Sequence, residues 1–95
     1  QANRADKKGA WYMTYKIIFT ETAERQLKKL DKNVRERILL VLERTKTRPY
    51  DFVKKLSGYE YFRLRVGDYR LILDIKNEQL IIIVIEVGHR KSIYK

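Results

Sequence analysis

The chain carries two different hydrophobic periods, and the change from one to the other divides it. From Tyr15 to Phe19 runs a short β-branched and aromatic stretch, followed by Thr20 and Glu21 and then by apolar residues at Ala23, Leu27 and Leu30. The i, i+4, i+7 spacing is that of an amphipathic helix, with Arg25, Lys28 and Lys29 on its other faces. Thr20 supplies an N-cap hydroxyl and Glu21 a carboxylate for the first turn. A strand therefore leads into a helix. Asp31 is placed to cap a second helix, in which Val34, Ile38, Val41 and Leu42 keep the helical period while Arg35, Glu36, Arg37 and Arg44 point outward, and Pro49 bounds it. The two helices form a hairpin with one apolar side, able to cover a sheet face.

After a loop with Lys54, Lys55 and Gly58 the period becomes two. Phe62, Leu64 and Val66 alternate with Tyr61, Arg63 and Arg65, so this strand has an apolar face and a cationic one. Gly67 and Asp68 turn the chain. The next strand, Tyr69 to Ile75, sets Arg70 against Tyr69, Leu71, Leu73 and Ile75, and a turn around Asn77 follows. The last strand, Leu80 to Val87, is apolar on both sides, which predicts a central position with both faces covered. Gly88 ends it, and a tail with His89, Arg90, Lys91 and Tyr94 has room for one or two helical turns. The order β-α-α-β-β-β predicts an α+β fold, a helical hairpin packed on a mainly antiparallel sheet.

Residues 1–12 lack any period until Trp11 and Tyr12 and read as a tag remnant or disordered arm; 13–95 read as a single domain, with Met13 as a candidate start. At 95 residues there is room for one core only. The absence of cysteine removes disulfides, thiolate metal sites and thiol nucleophiles, and fits a cytoplasmic setting. The longest wholly apolar run, Leu80 to Ile85, is far short of the roughly 20 residues that span a bilayer, and a membrane role is not expected.

Charge narrows the partners. Lys and Arg total 22 against 12 Asp and Glu, a formal net charge of +10, and most of it remains without residues 1–12. Polyanions are the natural partners of such a field. RNA cleavage without metal lets the 2′-hydroxyl attack the neighbouring phosphate, and needs a base, an acid and cations around the phosphorane. Arginine suits the last role, since its planar fork matches phosphate oxygens and stays charged. Arg63 and Arg65 on one strand, Arg70 on the next, and His89 and Arg90 after the last can meet across neighbouring strands. Tyr94 shares a face with Arg90 if the tail is helical. An aromatic ring among arginines can stack an unpaired base. The same alternation also describes the solvated face of a half-exposed sheet. The acids are scattered, no metal site or cofactor is expected, and neither a glycine-rich phosphate loop nor a Gly-x-Ser-x-Gly elbow occurs.

Three strings in their order resemble the RelE/ParE toxin superfamily: Lys55-Leu56-Ser57-Gly58, then Tyr61-Phe62-Arg63-Leu64-Arg65-Val66-Gly67-Asp68-Tyr69-Arg70, then Val87-Gly88-His89-Arg90-Lys91-Ser92-Ile93-Tyr94. The resemblance spans Met13 to Lys95. It implies a RelE-type mRNA interferase of a type II toxin–antitoxin system, which enters the ribosomal A site, cuts the codon there and leaves a 2′,3′-cyclic phosphate and a 5′-hydroxyl. It implies Arg63, Arg70, Arg90 and Tyr94 as active-site residues, with Arg70 and Arg90 on the scissile phosphate and Tyr94 positioning RNA or moving a proton. Lys54, Lys55, Tyr61, Arg65, His89 and Lys91 are expected to bind RNA. Relatives carry lysines on the first meander strand in register with Tyr61 and Arg63, where this chain has a tyrosine and an arginine; the base is then left to Tyr94, His89, Lys55 or the ribosome. A RelB-like antitoxin, acidic where it wraps the domain, is the implied partner, in a toxin–antitoxin heterotetramer. The alternatives within the superfamily are a ParE-like inhibitor of DNA gyrase and an inactive antitoxin-binding homologue.

Overall fold

A computed structural model describes residues 3–5 and 11–89, with side chains from 14 to 89. Two short strands, β1 (Asn3–Ala5) and β2 (Trp11–Met13), pair antiparallel with each other. The body consists of β3 (Lys16–Phe19), α1 (Glu21–Lys28), α2 (Lys32–Thr45), β4 (Val53–Lys55), β5 (Phe62–Val66), β6 (Tyr69–Lys76) and β7 (Ile81–His89), with a single 3-10 turn at Pro49–Asp51. The five strands form one sheet in the order β3-β7-β6-β5-β4. Every pairing is antiparallel except β3 with β7. The expected α+β arrangement is present, with one strand more than the alternation pattern reveals. That strand, β4, lies where a loop is expected; it is a three-residue edge strand whose Lys54 and Lys55 are exposed, too short and too polar to show a period.

The core lies between the helical hairpin and one sheet face. Ala23, Leu27, Ile38 and Leu42 from the helices pack with Leu64, Val66, Leu71, Leu73, Ile82, Val84 and Val87. Those from the helices, β5 and β6 are residues that the two periods single out, whereas Ile82, Val84 and Val87 come from the strand whose pattern is apolar on both sides. α1 starts as its sequence predicts: the Thr20 hydroxyl accepts the Ala23 N–H at 3.0 Å. Asp31 also occupies the N-cap position of α2, but its side chain makes no capping hydrogen bond. Arg35 closes this end instead, its guanidinium donating to the Leu30 carbonyl at 2.9 Å. The tight β5–β6 turn is allowed by Gly67 at φ 60°, in the left-handed region open to glycine.

β7 is an interior strand, as its composition predicts, but the helices cover only one of its faces. Ile82, Val84 and Val87 are buried there, whereas Ile81, Ile83 and Ile85 on the opposite side stay half-buried. The register also shifts within the β6–β7 ladder: Leu73 faces Val84 while Ile72 faces Glu86, leaving Ile85 as the extra residue of a β-bulge. The backbone groups freed there are taken up by α1 and its cap. The Thr20 hydroxyl donates to the Ile85 carbonyl at 2.9 Å, and the Gln26 side-chain oxygen accepts the Val87 N–H at 2.7 Å. The bulge thus fixes the helical hairpin to the sheet and reverses the facing of every residue beyond it.

Candidate active site

The face away from the helices carries the cationic groups. Lys54 on β4 stands opposite Arg63 on β5, and Arg65 stands opposite Arg70 on β6. Alternation puts all four on one side, because their neighbours Leu64, Val66 and Leu71 belong to the core on the other. Arg63 is half-buried and Arg65 exposed, while Arg70 is only 7 % exposed. Phe52, Lys54, Arg63 and Arg65 line a cleft of about 160 Å³. Like charges directly opposite each other across a ladder repel. Their shared side of the sheet is therefore a preformed field for an anion, and Arg70 provides a fork of donors whose position burial restricts.

Other expected site residues lie elsewhere. His89 falls opposite Tyr69, with the two rings in edge contact at 5.5 Å between centroids, and Tyr69 packs against the core. His89 is therefore on the helix side of the sheet, not beside Arg70. Lys55 pairs with Phe62, its ammonium 5.6 Å from the ring centroid, and also faces away from the four cations. Tyr61 immediately precedes β5, is exposed, and accepts the Leu56 N–H through its carbonyl at 2.9 Å. Arg90, Lys91 and Tyr94 lie outside the described residues.

Two residues of this face escape the sequence reading. Glu86 is on it because of the bulge; unbroken alternation from Ile82 and Val84 would have put it in the core. It stands opposite Ile72 and diagonal to Arg70, within reach of a long side chain. The only warning in the sequence is a carboxylate inside an otherwise apolar run. Phe52 follows the Pro49–Asp51 turn in a segment without periodicity, and only its nearness to Lys54 in the chain marks it.

A cationic face of this kind has the charge and the donor forks to hold an anion. A model of the family described as the ParE toxin of the type II toxin–antitoxin system parDE matches residues 17–94. The chain belongs to the RelE/ParE toxin superfamily. Among curated relatives of this toxin, Toxin RelE3 of Methanocaldococcus jannaschii is 36% identical over 86 residues, covering 83% of this chain and 94% of the relative. The mRNA interferase toxin RelE of Escherichia coli K12 is 32% identical over 82 residues, covering 83% and 86%. In the toxin–antitoxin complex RelBE2 of Mycobacterium tuberculosis, the matching chain superposes with a TM-score of 0.75 at 29% identity, covering 81% of this toxin and 92% of that chain. The chain is thus a RelE-type toxin with mRNA interferase homologues, and the cationic face lies on the sheet of that shared fold.

Proposed function

We propose that this toxin is an endoribonuclease that cuts mRNA in the ribosomal A site and so stops translation in the cytoplasm. The observation that carries this reading is the gathering of Lys54, Arg63, Arg65 and Arg70 on one sheet face in a chain with mRNA interferase relatives. The 2′-hydroxyl attacks the adjacent phosphorus, the 5′-oxygen leaves, and a 2′,3′-cyclic phosphate and a 5′-hydroxyl result. Arg70, joined by Arg90, neutralises the phosphorane oxygens; Arg63 holds the strand in line; Tyr94 positions RNA or transfers a proton. Arginine does not give up a proton at working pH. Lys54 and Glu86 share the arginines' side of the sheet, whereas His89 and Lys55 face the helices.

An antitoxin of RelB type, acidic where it wraps the domain, holds the toxin in a heterotetramer. A groove of about 680 Å³ between α2 and the β3 edge supports such a contact. Tyr15, Phe19, Leu39, Leu42, Leu80 and Ile81 line it, with Glu43 and Lys46.

The test is cleavage of ribosome-bound mRNA, mapped by primer extension, with Arg70→Ala and Arg90→Ala beside the wild type. Both variants are expected to lose cleavage while still binding antitoxin. Unchanged cleavage in both would sink the site assignment. Gyrase inhibition with no translation block would replace this reading with the ParE-like one.

A further inference from the structure

Resting on the ribonuclease reading, we infer that the cleft formed by Phe52, Lys54, Arg63 and Arg65 is a nucleotide subsite, which stacks one unpaired RNA base beside the cut bond. The ladder pairs Val53 with Leu64 and Lys54 with Arg63, and Phe52, which closes the Pro49–Asp51 turn just before the ladder begins, lines the same cleft as Arg65. A ring and three cations therefore line one cleft. Phe52 is 42% exposed, a large apolar ring left in water among positive charges. An aromatic face flanked by phosphate-binding cations is the element that single-stranded nucleic acid readers use, with the base stacking on the ring and the backbone following the charge.

Size and surroundings agree. About 160 Å³ is close to the roughly 150 Å³ cavity that accepts a single benzene ring, so one planar base ring enters rather than a stack. Asp51, the acid nearest in sequence, is paired with Arg48 at 3.6 Å, which neutralises it. β4 is separated from β6 by β5, two strand spacings or roughly 10 Å. The subsite therefore takes a nucleotide neighbouring the one held at Arg70, and sets affinity and sequence preference there rather than the chemistry at the phosphate.

The experiment uses the full chain and ribosomes carrying an mRNA made uncleavable by a 2′-deoxy at the cut position in the A site. Phe52→Leu is expected to weaken binding about five- to tenfold, the lower range for loss of one base–aromatic stack. Phe52→Tyr is expected to restore it. In a Trp11→Phe background, Phe52→Trp is expected to report RNA by quenching of its fluorescence. Cleavage by Phe52→Leu is expected to show a raised KM, a nearly unchanged kcat and an altered preference at the neighbouring base. Equal RNA affinity in wild type and Phe52→Leu, with no quenching in the Phe52→Trp variant, would overturn the subsite and leave the ribonuclease reading standing. Absence of cleavage of ribosome-bound mRNA by the wild type would overturn both. Binding of a polyglutamate peptide that depends on Phe52, with RNA indifferent to it, would reassign the cleft to an acidic protein segment and overturn the proposal.

Discussion

Arg65 and Arg70 face each other directly across the β5–β6 ladder, one exposed and one buried, so two residues of like charge occupy opposed positions on one sheet face. Such a pair costs folding stability, because like charges directly opposite each other on a ladder repel. Arg65→Ala is therefore expected to make the toxin slightly more resistant to urea. The same change is expected to weaken RNA binding and to make its salt dependence shallower by about 0.7 in the log–log slope, one phosphate contact on a single strand. Urea unfolding and titrations between low and moderate salt check both parts. An unchanged slope would take Arg65 out of the RNA contact.

Arg70 tests geometry separately from charge. Arg70→Lys keeps the positive charge but loses the planar fork, and is expected to lower kcat about 100-fold, the scale of losing one preorganised donor at a developing anion. Single-turnover cleavage at saturating ribosome–mRNA complex measures it. Activity within about threefold of wild type would mean that Arg70 acts as a diffuse charge only.

Thr20 joins three parts of the fold, since its hydroxyl caps α1 through Ala23 and donates to Ile85 at the bulge. Thr20→Val keeps the shape and loses both bonds, with an expected cost of about 1–3 kcal/mol. Thr20→Ser is expected to recover most of it. Chemical denaturation of the three proteins gives the comparison, and a Val variant as stable as wild type would contradict the anchoring role.

Tyr15 gives a pH dependence. Its hydroxyl donates to the Asn77 side-chain oxygen at 2.8 Å, which also accepts the Tyr50 hydroxyl at 2.9 Å. Burial, and secondly Tyr50 beside it, raise the Tyr15 pKa above the ordinary 10.0. The neutral form is thus favoured by folding, so this contribution is complete below the unfolded pKa and is lost as pH rises through the folded one. Tyr15→Phe is expected to destabilise the protein by about 1 kcal/mol at pH 7, the net worth of one hydrogen bond. The gap from wild type should narrow above roughly pH 10. A gap that stays constant into strong alkali would refute the coupling.

Much of the fold can be read from two periods because burial imposes them. Ala23, Leu27, Ile38 and Leu42 repeat every helical turn, while Leu64, Val66, Leu71 and Leu73 alternate, and together they make the core. Local chemistry is equally plain at Thr20, where a hydroxyl before an acidic first turn caps the helix. What cannot be read depends on pairing between distant segments. The parallel β3–β7 ladder leaves no local mark, and the short β4 is a strand only because Leu64, Arg63 and Phe62 receive it. The candidate site divides in the same way. Arg63, Arg65 and Arg70 follow from alternation and the turn at Gly67, but His89 and Glu86 can be placed only once the bulge is seen.

That bulge makes the length of β7 matter as much as its composition. Were the strand to run straight with Ile85 paired in the ladder, Val87 and His89 would exchange sides with Glu86 and Gly88, whereas deleting Ile85 would keep every other pairing and facing and remove the carbonyl that Thr20 holds. In the straightened strand a carboxylate would enter the apolar interior and a valine would sit among the arginines, although no residue had changed. The strand therefore behaves as a reading frame for side chains, and the one extra residue at Ile85 sets that frame.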